Sequence, residues 1–104
     1  MEYKISQETN RDIENIWIYT YENWSLEQAD RYFDLIMDEI EYLAENPKSG
    51  KDYGHVRKGY FRSRIKSHFI FYKINSKKEE IEIIRILHQR MDIDSRLNEN
   101  LHWL

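Results

Sequence analysis

Apolar side chains recur at three- and four-residue steps in the first half of the chain and at two-residue steps in the second, so the periodicity changes from helix to strand near Pro47. A short alternating opening, Tyr3-Lys4-Ile5, predicts a strand, and Ser6 offers a side-chain oxygen to the first free N–H groups of a helix. Ile13, Ile16, Trp17, Thr20 and Trp24 share one side of that helix, which runs to about Asn23. Ser25 followed three residues later by Gln28 is a capping box, so a second helix starts at once. Its stripe is Ala29, Phe33, Ile36, Ile40 and Leu43, and it ends near Asn46 because the residue before Pro47 is pushed out of helical geometry. The two helices form an antiparallel hairpin whose stripes, Trp17, Trp24 and Phe33 included, are expected to face a sheet and make the main core.

After the Pro47-Lys48-Ser49-Gly50 turn, three strands are expected. Tyr60 to Lys66 alternates, with Tyr60, Arg62, Arg64 and Lys66 on one face and Phe61, Ser63 and Ile65 on the other. His68 to Ile74 is mostly apolar, and Ile81 to His88 is nearly all apolar apart from Glu82 and Arg85, as suits central strands buried on both faces. The polar run Asn75 to Glu80 between them predicts a hairpin loop. The element order is β-α-α-β-β-β, an α+β fold, in one domain over residues 1–104. Ile93, Leu97, Leu101 and Leu104 are spaced for a last short amphipathic helix, whose docking site the pattern does not reveal.

Composition narrows the class. With 40% apolar and 34% charged residues, and 15 aromatics among 104, the chain has core material for a small globular domain and no membrane character. It has no basic leader and no run of about 20 apolar residues, so neither export nor a bilayer span is expected. The absence of cysteine excludes a disulfide framework and a thiol nucleophile and favours a reducing compartment, the cytoplasm. The net charge of -3 hides an asymmetry: residues 1–47 carry 3 basic and 12 acidic side chains, and residues 48–104 carry 13 basic and 7 acidic. Lys48 to Lys73 holds 8 basic residues against the single Asp52. Such a positive face attracts acidic partners or nucleic acid, unless the two halves simply neutralise each other.

The four histidines, at 55, 68, 88 and 102, lack metal-ligand spacing, and no phosphate loop, G-x-S-x-G or G-x-G-x-x-G occurs, so neither a metal nor a cofactor is expected. Asp38 and Glu39 read as solvated charge. The informative row is Arg62, Arg64 and Lys66, preceded by Arg57 and Lys58, because alternation projects it to one side of the sheet. Arginine there can hold phosphate or carboxylate through paired hydrogen bonds, or can merely solvate an outer strand. His88, at a strand end, can act as acid or base near neutrality or be a satisfied structural histidine. Ile18 and Tyr19 on the first helix and Leu35 and Tyr42 on the second fall off the core stripes, which suggests a partner surface. Leu35 and Tyr42 are seven residues apart, on one line of the helix, suited to an amphipathic segment laid along the hairpin.

The helical hairpin ending in Asn46-Pro47-x-x-Gly50, then Gly59-Tyr60-Phe61-Arg62, His68-Phe69-Ile70-Phe71-Tyr72 and Ile84-Arg85-Ile86-Leu87-His88-Gln89-Arg90-Met91-Asp92, resemble in order and spacing the ParE branch of the RelE/ParE toxin superfamily. The resemblance implies a small twisted, mainly antiparallel sheet with the hairpin on one face. It also implies a cognate antitoxin that wraps its C-terminal segment around the toxin in a hetero-oligomer, and DNA gyrase as the target. RelE-like relatives instead cleave messenger RNA on the ribosome, which needs proton transfer and phosphate-binding cations. Their third-strand arginine corresponds here to Phe69, which can do neither. Arg62 and Arg64 match basic positions of the second strand, and His88 or Arg90 can substitute near the C-terminal end, so a metal-independent ribonuclease stands as the alternative. A third reading is a binding module on the same scaffold without lethal activity.

Overall fold

The computed structural model describes residues 1–97 and 101–104. Strand β1 (Glu2–Ile5) leads into helix α1 (Gln7–Asn23) and helix α2 (Leu26–Glu45). They are followed by β2 (Lys51–Asp52), β3 (Tyr60–Ile65), β4 (His68–Asn75), β5 (Glu80–His88) and the short α3 (Ile93–Arg96). One sheet orders the strands β1-β5-β4-β3-β2, antiparallel throughout except that β1 runs parallel to β5. This is the expected α+β arrangement, with β2 an additional strand of two residues that no alternating pattern announces.

Both serine caps are formed, the second without the return bond from the Gln28 side chain to the Ser25 N–H that a full capping box adds. Ser6 accepts from the Thr9 N–H at 2.9 Å, and Ser25 accepts from the Gln28 N–H at 3.1 Å. The hairpin packs Ile13, Ile36, Ile40, Leu43 and Ala44 on the sheet residues Ile65, Ile70, Tyr72, Ile81, Ile83 and Ile86. Three residues of the expected stripes are elsewhere. Trp24 is 69% exposed and Phe33 40% exposed. Trp17 lies on the outer seam of the hairpin, stacked on Tyr21 at 5.3 Å and donating its indole N–H to Asp30 at 3.0 Å. Residues wide of the stripe centre reach the hairpin seam or its open end, and the β-branched isoleucines nearer the centre fill the sheet contact.

A second core lies on the opposite sheet face, where Phe71, Ile84 and Leu87 meet Leu97, with Ile93, Leu101 and Trp103 around them. The chain end thus covers that face, although its only described helix is Ile93–Arg96, and residues 98–100, through which the expected tail helix would run, lie outside the described residues. The last residues then dock on the start of α1. Gln7 N–H donates to the His102 carbonyl at 2.6 Å, Trp103 bridges to Ser6, and Lys4 sits 4.6 Å over the Trp103 ring. Glu8 accepts from the His102 backbone N–H at 2.7 Å, and this bond holds its carboxyl below the usual carboxylate range.

β5 extends to His88 while β1 stops at Ile5, and α1 takes over the exposed edge of β5. Ser6 Oγ donates to the Ile84 carbonyl at 2.9 Å and Thr9 Oγ1 to the Ile83 carbonyl at 3.1 Å. Asp12 accepts from the Ile86 N–H at 3.0 Å and from the Arg85 guanidinium at 2.8 and 3.0 Å. Ser6, Thr9 and Asp12 are three residues apart, hence on one line of the helix. They meet β5 where its register against β4 shifts, Phe71 pairing with Arg85 and Tyr72 with Ile83. The Asn-Pro-x-x-Gly turn is explained by Tyr72, whose hydroxyl donates to the Pro47 carbonyl at 2.8 Å and accepts from Gly50 N–H at 3.1 Å. A Cβ at Gly50 would collide with that hydroxyl.

Removing one partner from a buried ion pair costs ~3–5 kcal/mol, because the remaining charge stays desolvated. Asp12→Ala is therefore expected to lower unfolding free energy by about that amount in urea denaturation. Asp12→Asn, which keeps an acceptor for Ile86 N–H, should lose less. Equal stability of Asp12→Ala and wild type would remove the edge contact from the stabilising framework.

Candidate functional site

Alternation in β3 and β4 sorts the candidate residues onto two faces. Tyr60, Arg62 and Arg64 project away from the hairpin, whereas Phe61 and Ile65 enter the core beneath it. The expected cation row stops at Arg64, because Lys66 has left the strand: it takes φ 50° in the two-residue turn between Ile65 and His68. The Arg62 guanidinium lies 4.3 Å from the Phe69 ring centre and 5.3 Å from that of Tyr53, and the Arg64 guanidinium 5.9 Å from Phe69. Arg64 also donates to the Lys66 carbonyl at 2.8 Å and to Gln89 Oε1 at 2.9 Å. Arg57 is tied to the Val56 carbonyl at 2.7 Å and, across to α3, the Asp94 carbonyl at 3.2 Å. This face presents arginines held over aromatic rings, a geometry that positions guanidinium groups without neutralising them.

His88 and Arg90 are not part of that face. His88 pairs across the sheet with His68, their rings edge-on at 5.1 Å, on the hairpin side. Both histidines line a cleft of about 760 Å³ at the open end of the hairpin, together with Tyr19, Trp24, Lys66 and Arg90. The His68 Nδ1 lies 2.7 Å from the Tyr32 hydroxyl, which in turn is 3.2 Å from the Ile65 carbonyl. Both contacts are satisfied when Nδ1–H donates to Tyr32 and Tyr32 donates to Ile65. Burial, with His88 beside it, pushes the His68 pKa down to about 4. His88 Nδ1 accepts from the Arg90 N–H at 3.1 Å, so its proton resides on Nε2. The structure therefore divides the four nuclease candidates into Arg62 with Arg64 on one face and His88 with Arg90 on the other.

The partner candidates separate as well. Leu35 and Tyr42 line one groove along α2 with Asp38, Glu39, Arg64 and Lys66. Ile18 belongs to the groove on the outer hairpin seam with Trp17 and Phe33, and Tyr19 belongs to the histidine cleft. Glu39 is not solvated as expected; it accepts a hydrogen bond from the Ser63 hydroxyl and so clips α2 to β3. Sequence reasoning also missed Tyr53 and His55. Their rings lie 5.0 Å apart, and Tyr53 supports Arg62 from a loop with no periodicity to place it.

Residues 3–93 match the family model described as the ParE toxin of the type II toxin–antitoxin system parDE. Over 95 residues the chain is 35% identical to Toxin ParE1 of Mycobacterium tuberculosis and 36% identical to Toxin ParE1 of Caulobacter vibrioides, in each case 91% of this chain and 96% of the relative. Toxin ParE of Escherichia coli is 28% identical over 99 residues, 95% of either chain. Among solved structures, a chain of the chromosomal ParDE toxin–antitoxin system from P. aeruginosa superposes with TM-score 0.73 at 17% identity, covering 85% of this chain and 95% of that one. A chain of the RelBE2 toxin–antitoxin complex of M. tuberculosis gives 0.66, also at 17% identity, over 84% and 95%. These last two likenesses show the shared fold.

His68 yields a pH prediction. Its ordinary value is 6.5, so between pH 6.5 and about 4 the unfolded chain binds a proton that the folded chain refuses. Its stabilising contribution is full above pH 6.5 and falls as acid is added toward pH 4, levelling out below the folded value, with the partly exposed ring damping the slope. Denaturation of wild type and His68→Asn across this range should show the slope difference. Parallel stability profiles would mean that His68 titrates normally in the folded protein.

Proposed function

The chain belongs to the ParE toxin family of type II toxin–antitoxin systems, and from that premise we propose that it arrests growth in the cytoplasm by poisoning DNA gyrase and is neutralised by a cognate antitoxin. The observation that carries the reading is the placement of Phe69. Where the ribonuclease branch is expected to hold a phosphate-binding arginine, this chain has a phenyl ring lying 4.3 Å beneath Arg62, with His88 on the other side of the sheet. A missing charge-stabilising donor commonly lowers turnover by roughly 100- to 1000-fold. Acid, base and cations that do not converge lower it further. Gyrase poisoning demands less: the toxin has only to bind the cleaved enzyme–DNA state better than the resealed one, and no proton transfer on the toxin is needed for that shift.

Antitoxin capture is assigned to the groove holding Leu35 and Tyr42, 39% and 51% exposed, where two apolar anchors on one line of α2 suit an amphipathic segment. Lys66 borders the groove together with Asp38 and Glu39, so the segment meets charges of both signs there, while the Arg64 guanidinium is turned to the opposite sheet face. Arg57, Arg62 and Ile18 lie outside it and would be reached only by a partner that wraps the chain.

In a purified supercoiling assay, charge reversal at Arg62 and Arg64 is expected to reduce gyrase inhibition while the circular dichroism spectrum stays native. Ribosome-dependent cuts in messenger RNA with gyrase unaffected would overturn the gyrase reading and favour the ribonuclease. For the antitoxin, Tyr42→Ala should weaken binding by more than about tenfold, as truncation of an interface anchor typically does. Unchanged affinity in a folded variant would place the antitoxin elsewhere.

A further inference from the structure

The cleft at the open end of the hairpin has a chemistry that gyrase poisoning does not use, and it shares only Lys66 with the groove assigned to the antitoxin. One wall is aromatic. Tyr19 and Trp24 are 65% and 69% exposed, and neither ring has a stacking partner among the described residues. The other two tryptophans differ: Trp17 is stacked on Tyr21 and Trp103 lies under Lys4. The far wall is cationic. The Gln89 N–H donates to the Ser67 carbonyl at 2.8 Å, and this bond holds the Lys66-Ser67 turn beside the segment carrying Arg90. Neither Lys66 nor Arg90 has an ion-pair partner among the described residues. Among the described residues Asp12 is the carboxylate lining the cleft, and it is already engaged by Arg85 and the Ile86 N–H.

The side-chain amides of Asn15 and Gln28 and the imidazole of His88 line the same cleft, with His88 Nδ1 already accepting from the Arg90 N–H. Among the described residues no group of three or more His, Asp or Glu stands where it could hold a metal ion. A volume of about 760 Å³ lies within the range of small-ligand sites. Open ring faces, amides able to meet a base edge and two cations with no ion-pair partner among the described residues together match one ligand class. We propose that this cleft binds a nucleoside phosphate unit, with its base on Trp24 and Tyr19 and its phosphate on Lys66 and Arg90. The unit can come from a free nucleotide or from single-stranded DNA, and its recognition does not depend on gyrase being the target.

The test is NMR titration of the purified full-length chain with thymidine monophosphate, thymidine and oligothymidylate, following the Trp24 indole and the His68 and His88 ring signals. Thymidine monophosphate should move these signals at millimolar concentration, and thymidine should bind at least about tenfold more weakly. Oligothymidylate binding more tightly than the monophosphate identifies a DNA strand as the source; equal affinity identifies the free nucleotide. Trp24→Ala should reduce affinity by about five- to hundredfold, the range for loss of one base-stacking ring. Lys66→Asn, which tolerates the positive φ of that turn, combined with Arg90→Gln should abolish the preference for phosphate over thymidine. No shift with either phosphate ligand overturns the proposal. So does an acidic peptide that moves the same signals with the affinity of the monophosphate, since the cleft would then be a protein-docking site.

Discussion

Everything in this fold depends on how the outer edge of β5 is closed. β5 is the one strand buried on both faces along most of its length, and it contributes to both cores. An unpaired edge on such a strand would leave buried carbonyl and N–H groups without partners, each at a cost of about 1–3 kcal/mol. A longer β1 would solve the problem and leave no room for α1. Instead the helix itself supplies the hydrogen bonds through Ser6, Thr9 and Asp12, three side chains on one helical line. That contact fixes the angle and depth of α1, which in turn sets where the hairpin ends and where the histidine cleft opens.

The charge asymmetry of the sequence becomes a spatial one. Apart from Glu8, Asp12 and Glu39, which are engaged by the sheet or the residues that follow it, most acidic residues of α1 and α2 are exposed, while Arg62 and Arg64 project from the sheet face away from the hairpin. The halves therefore do not neutralise each other across the core. Among the described residues, first-half and second-half residues meet directly where Lys4 pairs with Glu80 and Glu82, Asp12 with Arg85, and Glu8 with the His102 ring. None of these contacts consumes the arginines over Phe69. A molecule with one acidic and one basic side orients partners before contact, and the basic side is where the aromatic rings hold guanidinium groups ready.

The elements were legible because their signals are local. Ser6 and Ser25 announce helix starts by chemistry within three residues, and the change of period at Pro47 requires no tertiary knowledge. What escaped the sequence depends on distant partners. Nothing local distinguishes Trp17 or Phe33 from Ile36; the sheet decides, packing Ile13, Ile36, Ile40, Leu43 and Ala44 into the cluster that holds Ile70 and Ile83. Lys66 continues the alternation of β3 in sequence, yet a two-residue turn removes it from the row. Ile18, Tyr19, Leu35 and Tyr42 are exposed as their place off the helical stripes implies, but the division of the basic and histidine candidates between two sheet faces follows from the pairing of His88 with His68, which no single strand encodes.

The clasp between the chain ends bears on how the molecule comes into being. His102 and Trp103 complete the hydrogen bonding around Ser6, Gln7 and Glu8, the residues that start the first helix. A nascent chain therefore emerges with its earliest helix unsupported and with β1 lacking β5, its only strand neighbour in the sheet. Such distant pairing closes late. Assembly of the sheet and its clasp waits until residues 80–103 are available, so each newly synthesised molecule passes through an interval in which its first helix exists as sequence but not yet in this fold.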